Sequence, residues 1–522
     1  MFLQSHVYKN TFRDSVYLMR LSSMLRELDG VEGAEVIIGT DHNKKFLRAG
    51  DLWTEEIEQN AGANDLIISV RAVNQQKAEA AIQRALDEMT KEVDRGDLAG
   101  EFVPRTFETA LKHMPGANIA LISIPGRYAR REAEKILEAG LHVMLFSDNV
   151  SMEEEIALKQ KALEKGLLLM GPDCGTAIIN GVPLAFANRV RRGNIGIVAA
   201  AGTGLQEVSS LVHNLGGGIS HGIGTGGRDV KDAVGGLMML QGLKALIEDV
   251  QTAVIVIIAK PPEPQVTQKV LQAAAQSPKP VVVNFLGGDP EPIRAAGCES
   301  ALTLKEAAEK AFRLAGGEPA AAPSANFTAV KEVIEAEKRK LKPGQRYLRG
   351  LFSGGTLAYE SLLMLNQAAG GIYSNLALEP RFRLTDLFRS REHTIIDFGE
   401  DEFTQGRLHP MIDPALRGNR IVAEGKDPET AVIMFDLVLG FNAHPDPAGA
   451  AVEAIMEASA EAEREGRHLI FVTSVCGTDE DFQNRREQVE KLNKAGVLVF
   501  PSNADASFFV KELLNNLLTE HR

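Results

Sequence analysis

Apolar runs of strand length alternate with amphipathic helical patterns along most of this chain. The run NIALISI at 118–124 is followed by a helical pattern at 126–140, which places Ala133, Ile136 and Leu137 on one face. Continuous apolar strands with helices between them are typical of a parallel sheet that is covered on both faces. The pattern therefore predicts an α/β fold built from several Rossmann-like or flavodoxin-like parallel-sheet domains.

The same alternation starts again at NIGIVAAAGTG (194–204) and at YLRGLFSGGTLAYESLLML (347–365). Ser151 and Glu154 form a predicted capping box at the start of another helical pattern, 151–166. Further strands are predicted at 142–148, 167–173, 252–262, 279–289, 393–399, 430–440, 468–475 and 497–502.

The first 110 residues carry a shorter version of this pattern. Helices are predicted at 14–28 and 76–93, and strands at 34–40 and 65–70. These elements indicate a small N-terminal α/β region, which is either a unit of its own or the front of the next one.

The positions at which the alternation of strands and helices begins again divide the chain into predicted domains. The stretch GGEPAAAPSANF at 316–327 is rich in glycine, proline and alanine, which is typical of a linker, and a charged helix follows it at 330–344. The predicted boundaries are 1–110, 111–190, 191–320, a linker at 321–345, and 346–522.

The length of the chain indicates several domains, and its net charge argues against polyanionic partners. A chain of 522 residues is too long for a single core. Its net charge of −13 argues against a nucleic acid and against an anionic membrane surface as partner. The longest apolar runs have the length of a strand, which is too short to cross a bilayer. A small anionic substrate remains compatible with this charge, because local dipoles and single arginines can bind it.

The cysteines and the N-terminal residues favour a cytoplasmic location. Cys174, Cys298 and Cys476 are far apart, and neither a disulfide framework nor a zinc spacing is present. The first residues, MFLQSHVYKNTFRDSV, lack the apolar core of a signal peptide.

The stretch GNIGIVAAAGTGLQE at 193–207 is a candidate phosphate-binding turn. An apolar strand ends in Gly202, Thr203 and Gly204, and a helix follows. Glycines allow a ligand to approach the backbone, and the start of a helix offers free N–H groups with a partial positive charge. The motif is neither GxGxxG nor a P-loop. A tight turn without a ligand is an equally good interpretation of this motif alone.

Three further turns share this character and strengthen the hypothesis of an anion site. Arg228 and Asp229 follow glycines, and the alternative is that they pair to stabilise their loop. The other turns are Gly354-Gly355-Thr356 and Gly440-Phe441. Parallel sheets bind ligands at the carboxyl ends of their strands, where we expect all these turns to lie.

The segment DFGEDEFTQGRLHPMIDPALR at 397–417 holds the candidate catalytic residues. Arg407, His409, Asp413 and Arg417 fall within eleven positions. Such a loop can bind an anionic substrate, and His409 can act as acid or base because the ordinary pKa of histidine is near neutrality. The alternative is a connecting loop whose His409 and Asp413 satisfy each other. No ligand spacing supports a metal site here, so no metal is expected.

The chain resembles the FdrA family, whose members are acyl-CoA-synthetase-like proteins related to succinyl-CoA synthetase. The resemblance rests on NTFRDSVYLM, on LHVMLFSDNVSMEEEIALKQKALEKGLLLMGPDCGTAIINGVPLAFAN, and on the motifs GNIGIVAAAGTGLQE, GIGTGGRD, LFSGGTLAYE and RLHPMIDPALR. It implies a CoA-binding-like Rossmann domain at 111–190 and a flavodoxin-like ligase domain at 191–320. Residues 346–522 would correspond to the carboxyl-terminal domain of the synthetase β subunit.

The resemblance also implies a shared phosphate site. In the synthetases two helix N-termini, one from each half, hold the phosphate of a phosphohistidine. The matching helix starts would be Gly202 to Gly204 and the turn near Gly440 and Phe441.

Three departures from the synthetases change the expected chemistry. No histidine occurs in NFLGGDPEPIRAAGCESA at 284–301, where the synthetases carry their phosphorylated histidine. Only a short linker stands where an ATP-grasp domain would precede the β-type domain. The residues YKNTFRDS at 8–15 replace the glycine-rich loop for the CoA phosphates. No cofactor is therefore assigned, phosphate or carbamoyl phosphate is the expected ligand, and CoA is the weaker alternative.

The function that the resemblance implies is transfer of a carbamoyl or acyl group with phosphate. FdrA-type proteins are associated with purine-ureide breakdown, in which oxalurate and phosphate give oxamate and carbamoyl phosphate with the help of other subunits. Arg228 would bind phosphate, Arg407 or Arg417 a carboxylate, and His409 would move a proton. The alternatives are an acyl-CoA synthetase that takes ATP from a partner, and a non-catalytic subunit that binds a phosphometabolite. An oligomer is expected in each case.

Overall fold

This computed structural model describes residues 1–9, 11, 15–63, 65–90, 104, 106–318, 327–404 and 408–519. Its contacts divide the chain into two compact units. The first comprises Met1–Met114 and Asp401–His409, and the second comprises Pro115–Glu400 and Pro410–Arg522.

The first unit contains a three-stranded antiparallel sheet in the order β1-β3-β2. The central strand β3 is buried on both faces, with Ile68 and Val70 in one apolar cluster and Ile67 in another. The elements are β1 (Phe2–Tyr8), α1 (Ser15–Arg26), β2 (Val31–Ile38), α2 (Asp41–Ala49), α3 (Glu55–Asn60), β3 (Leu66–Ala72), α4 (Gln75–Thr90) and α5 (Phe107–His113), with α15 (Asp401–Thr404) far along the chain.

The second unit begins with a small parallel sheet in the order β4-β5-β6. Its elements are β4 (Ile119–Ile122), α6 (Gly126–Glu138), β5 (His142–Leu145), α7 (Met152–Glu164) and β6 (Leu169–Met170). The capping box predicted for α7 is confirmed, because the Glu154 N–H donates to Ser151 Oγ at 3.3 Å and the Ser151 N–H donates to the Glu154 carboxylate at 3.2 Å.

A seven-stranded sheet follows, in the order β13-β12-β11-β9-β10-β7-β8. Strands β9 to β13 are parallel, and β7 and β8 form an antiparallel edge. The elements are β7 (Thr176–Ile179), β8 (Val182–Ala185), β9 (Arg192–Ala199), α8 (Gly202–Asn214), β10 (Ile219–Gly224), α9 (Leu237–Glu248), β11 (Val254–Ala259), α10 (Pro264–Ala275), β12 (Val281–Phe285), α11 (Glu291–Ala295), β13 (Glu299–Ser300) and α12 (Leu304–Leu314).

The last sheet has six parallel strands in the order β15-β16-β14-β17-β18-β19. Helix α13 (Phe327–Lys338) precedes it, within the predicted linker. The other elements are β14 (Tyr347–Phe352), α14 (Gly355–Leu365), β15 (Tyr373–Ser374), β16 (Thr394–Asp397), α16 (Ala415–Lys426), β17 (Thr430–Val438), α17 (Pro447–Arg464), β18 (Ile470–Cys476), α18 (Arg485–Lys494), β19 (Leu498–Phe500) and α19 (Asn503–Thr519).

One hydrophobic core spans the two large sheets. Leu205 on α8 and Ile258 on β11 share a buried cluster with Leu357 on α14 and Phe509 on α19. Polar bonds also cross between the sheets, since the Leu304 N–H donates to the buried Glu360 at 2.8 Å. The two flavodoxin-like halves therefore form one packed body. Among the described helices, none is both long and apolar enough to cross a membrane.

A buried ion network ties α7 to the loop after β10. Lys159, which has no exposed surface, lies 2.8 Å from the carboxylates of Glu155 and Asp229 and also donates to the Thr225 carbonyl. Arg228 reaches the same Glu155 at 2.8 Å. The positive charge of Lys159 is what makes two buried carboxylates tolerable at this position.

We expect Lys159→Met to destabilise the protein strongly, by about 3–5 kcal/mol, because it removes the cation from the buried Asp229 and leaves Glu155 with Arg228 alone. Lys161→Met is the matched control on the same helix, since Lys161 pairs with Glu138 at a partly exposed position. The free energy of unfolding of the Lys161→Met control should fall by less than about 1 kcal/mol. Thermal unfolding of both variants tests this, and equal melting temperatures would refute the assigned role of Lys159.

Candidate functional site

The loops after β9 and β14 lie at equivalent places in the two large sheets. Each follows the first parallel strand of its sheet, and each strand has a later strand on either side, β10 and β11 in one case and β16 and β17 in the other. Such switch points are where open α/β sheets form a crevice at the carboxyl ends of their strands. The loops lead directly into α8 and α14, so both helix starts are placed at a crevice.

The two helix starts face each other. Thr203 Oγ1 accepts the N–H of Thr356 at 3.2 Å, which joins the first turn of α8 to the first turn of α14. A Cβ added to Gly204 would lie 3.1 Å from the Thr356 methyl group, and one added to Gly354 would lie 2.9 Å from the Thr203 side chain. The glycines are required by this close approach of the two backbones.

The start of α8 has the properties of an anion site. No side chain caps it, and its first residues Gly202 and Thr203 are partly exposed. The N–H groups of the first turn have no acceptor inside the helix, and they carry the positive end of the helix dipole. These amides are suited to bind phosphate or a carboxylate.

The start of α14 already holds a carboxylate of the protein itself. The fully buried Asp436 accepts the N–H of Ser353 at 2.8 Å and the N–H of Gly354 at 2.7 Å. Arg417 donates to the same carboxylate at 2.9 Å and to the Asp436 carbonyl at 2.7 Å. Neither helix has a side-chain cap, and the two starts differ because Asp436 binds the two N–H groups that precede α14 and Thr203 accepts the Thr356 N–H inside it.

Asp397 and Lys260 border the same crevice. Asp397 ends β16 next to β14, and a Cβ added to Gly355 would overlap its Oδ2 atom. Burial, together with the charges of Glu400 and Asp436, raises the pKa of Asp397 to about 7, and Lys260 opposes this shift. Lys260 follows β11 and lies 5.3 Å from the centre of the Tyr359 ring on α14. Lys260 thus adds a positive charge to the border of the crevice, and Asp397 adds a titratable carboxyl group.

Arg228 and Asp229 serve the ion network, and they do not pair with each other. The Asp229 carboxylate accepts from Lys159 and from the N–H groups of Met238 and Met239 at the start of α9, and it is completely buried. Arg228 donates to the Val150 carbonyl in addition to its contact with Glu155. The predicted phosphate-binding role of the two residues stays a prediction, and their protein partners argue for a structural role.

Gly440 and Phe441 lie in the turn after β17 and do not themselves begin a helix, and their role as the second half of a phosphate site stays a prediction. The Gly440 N–H donates to Gln483 at 3.1 Å, and the Phe441 N–H donates to the Ala187 carbonyl at 2.9 Å. Helix α17 begins only at Pro447, where Asp446 caps it. The helix start that faces α8 is Gly354-Gly355-Thr356, a turn that the sequence predicts separately.

The role of the four candidate catalytic residues as one site stays a prediction. Arg407 lies outside the described residues, His409 belongs to the first unit, and Asp413 and Arg417 belong to the second. Burial lowers the pKa of His409 to about 4, so its ring is neutral at neutral pH, which corrects the expectation of a near-neutral pKa. Asp413 accepts the N–H of Ala415 before α16.

Arg417 has a protein carboxylate where a substrate carboxylate was expected. Its guanidinium is buried, contacts Asp436 and Ser353, and lies 5.9 Å from the centre of the Phe435 ring. Asp436 thus compensates the charge of Arg417 inside the protein, and the predicted role of Arg417 in binding a substrate carboxylate stays a prediction.

Sequence reasoning missed Lys260, Asp397 and Asp436. Each is a charge within or directly after an apolar strand, in VIVIIAK, TIID and TAVIMFDLV. A charged residue in such a run is a signal, because burying a charge is costly unless a partner compensates it. The partners could not be read from the chain, since Arg417 and Ser353 are distant in sequence from Asp436.

Three family models match parts of the chain. The CoA-ligase model matches residues 351–513, the CoA binding domain matches residues 190–287, and the heavy metal-associated domain of AllF matches residues 1–101. The CoA binding model thus falls on the seven-stranded sheet, and the predicted domain boundaries stay a prediction.

Several known proteins are similar in sequence. The uncharacterized protein YahF of Escherichia coli K12 is 46% identical over 508 residues, which is 97% of each chain. Subunit alpha 1 of the ADP-forming succinate–CoA ligase of Archaeoglobus fulgidus is 26% identical, over 45% of this chain and 81% of that one. The sulfoacetate–CoA ligase subunit SqwL of an Acholeplasma species is 26% identical, over 36% of this chain and 65% of that one.

The fold and the facing helix starts define an α/β protein of the CoA-ligase type. The chain belongs to the FdrA/YahF-type family of succinyl-CoA synthetase-like proteins, because its similarity to YahF extends over nearly the whole length. The family resemblance and the fold class predicted from the sequence are both confirmed.

The first unit does not fit the heavy metal that its family model implies. Residues 1–101 contain no cysteine, because the three cysteines of the chain are Cys174, Cys298 and Cys476. Within the described ranges, no group of three histidine, cysteine, aspartate or glutamate side chains could hold a metal ion. Soft heavy metals prefer thiolate ligands, so no metal chemistry is assigned to this unit.

Gly202 and Gly355 occupy the equivalent first positions of α8 and α14, and we expect their replacement by alanine to have different effects on stability. Gly355→Ala should place its methyl group on Asp397 and disturb the crevice, at a cost of about 1–3 kcal/mol. Gly202→Ala is the matched control, because its Cβ would lie 3.4 Å from Thr176 Oγ1, which is ordinary contact. Thermal unfolding should show a loss for Gly355→Ala only, and an equal loss for both variants would contradict the close packing at α14.

Proposed function

We propose that this chain is a subunit of an acyl-CoA synthetase-like enzyme, in which the crevice between α8 and α14 binds a phosphate or acyl phosphate. The observation that carries the proposal is the uncapped first turn of α8, held against the start of α14 by the bond from Thr356 to Thr203. A cation, Lys260, borders the crevice. Free amides and a nearby ammonium are a suitable binding set for a phosphate group.

The proposed reaction is transfer of an acyl group between phosphate and an acceptor. CoA is the first candidate acceptor, since family models for a CoA-ligase and a CoA binding domain match the two halves that form the crevice. Positioning and charge stabilisation would supply most of the rate enhancement, because the crevice offers amides and single charges. Burial raises the pKa of the Cys174 thiol to about 12, so this cysteine is not proposed as a nucleophile.

The proposal includes partner subunits. The succinate–CoA ligase and sulfoacetate–CoA ligase relatives are named as subunits of ADP-forming enzymes. Only α13 and its flanking residues separate the two halves of this chain, so we propose that any ATP-binding domain is contributed by a partner. The cytoplasm remains the predicted location, and the free state of all three cysteines agrees with it.

Carbamoyl transfer to inorganic phosphate is the second candidate function. One observation favours it over a ligase: no histidine occurs at 284–301, after β12, where the related synthetases carry their phosphohistidine. A reaction that starts from inorganic phosphate does not need such a carrier. This function includes the other subunits of a carbamoyltransferase complex as partners and carbamoyl phosphate as ligand.

Calorimetric titration of the full chain with CoA, inorganic phosphate and carbamoyl phosphate, in parallel, tests the proposal. Binding of CoA together with phosphate supports the acyl-CoA synthetase-like function. Binding of phosphate or carbamoyl phosphate without CoA supports carbamoyl transfer. Absence of phosphate binding and of carbamoyl phosphate binding would refute the anion site itself.

We expect Lys260→Met to weaken phosphate binding roughly tenfold, since a bond from a charged donor is worth about 1.5–3 kcal/mol. Lys269→Met is the control for the loss of one positive charge, because Lys269 is an exposed residue on α10. The same titration measures both variants. Equal affinity of the two variants for phosphate would remove Lys260 from the site.

A further inference from the structure

Asp397 lies where the two halves of the crevice meet. It is the last residue of β16, it is 2% exposed, and it pairs in register with Phe352 at the end of β14. Its Oδ1 atom accepts the N–H of Gly399 at 2.8 Å. Its Oδ2 atom points to the backbone of Gly355, as the overlap with an added Cβ at that glycine shows.

The groups that face Asp397 come from four elements. Lys260 follows β11 and is positive, Asp436 on β17 is negative, and Glu400 in its own loop is also negative. Arg417 on α16 faces the same region through its bond to Asp436. Asp436 is already neutralised by Arg417 and by two backbone N–H groups. Among these carboxyl groups, Asp397 is therefore the one placed to exchange a proton with a ligand.

We propose that Asp397 is the proton-transferring group of the crevice, and that its protonated form is the one that accepts a phosphate-type anion at the start of α8. This inference rests on the proposed function. The residue adjoins the first turn of α14, which faces α8, and its second carboxyl oxygen has no hydrogen-bond donor among the described residues.

The proton has a defined path in the proposed transfer. When a hydrogen phosphate oxygen attacks an acyl carbon, a new O–C bond forms and the bond from that carbon to sulfur or nitrogen breaks. The attacking oxygen gives up its proton, and the leaving thiolate or amide nitrogen needs one. Asp397, protonated when the anion binds, can give its proton to the leaving group and take the proton of the attacking oxygen in its place, so that no proton or electron is gained or lost overall.

The electrostatic environment agrees with this role. Burial and the nearby carboxylates raise the pKa of Asp397 to about 7, which is the range in which a group can both donate and accept a proton at neutral pH. Below that pH the group is neutral and can donate a hydrogen bond to an anion. Above it the group is negative and repels one, so anion affinity should fall as the pH rises.

The experiment is calorimetric titration of the full chain with sulfate at constant ionic strength, between pH 6 and pH 8.5. Sulfate stays a dianion over this range, so its own ionisation does not contribute. We expect the wild-type affinity to fall roughly tenfold, and Asp397→Asn to keep the affinity nearly constant. Because Lys260 lowers the pKa of Asp397, Lys260→Met should move the midpoint of the decrease to higher pH.

Glu360→Gln is the matched control. Burial also raises the pKa of Glu360 to about 7, but this side chain accepts from Leu304 and Asn503, away from the first turn of α14. The control should retain the wild-type pH dependence. If Glu360→Gln removes the dependence, or if Asp397→Asn retains it, the inference is wrong.

Two further outcomes separate this inference from the proposed function. Sulfate binding whose affinity is the same across the pH range overturns the role of Asp397 and leaves the anion site intact. If the wild-type chain does not bind sulfate at any pH, the anion site fails, and the inference fails with it.

Discussion

The facing starts of α8 and α14 impose the main electrostatic constraint on this protein. Each helix N-terminus carries roughly half a positive charge, so two of them in contact repel each other. The contact from Thr356 to Thr203 holds them together all the same. Asp436 supplies negative charge on the α14 side, and Arg417 compensates that carboxylate in turn. Neither helix has a side-chain cap, and no carboxylate bound to the start of α8 compensates its positive end among the described residues.

Hydrophobic packing provides the energy that keeps these ends in place. Leu205 and Leu357, one helical turn inside α8 and α14, lie in the same buried cluster. Behind them, Asn503 at the start of α19 donates its backbone N–H to Glu207 and its side-chain amide to Glu360. Core and polar contacts therefore fix the geometry of the crevice from behind, and a ligand does not have to supply that energy.

Features formed by neighbouring residues were predicted from the sequence more successfully than contacts between residues far apart in the chain. The turns at Gly202 and Gly354 were predicted because glycine, threonine and a helical pattern stand next to each other in the chain. The partners of Arg228, Arg417 and Asp436 come from other elements, so spacing could not predict them. The segment 397–417 was expected to be one site, yet its residues belong to two units, because its prolines and charged residues indicated a loop without specifying its contacts.

The difference between the two helix starts decides what this crevice can do. Two open starts would hold a dianion symmetrically and tightly, as suits storage of a phosphoryl group. Here the Asp436 carboxylate already lies beside the start of α14, so an anion would be held by α8 and Lys260 and would lie near Asp397. In the proposed site a neutral Asp397 would help to hold such an anion, and an ionised Asp397 would repel it. Binding and proton transfer would then depend on one carboxyl group, which favours turnover of a transferred group over its storage.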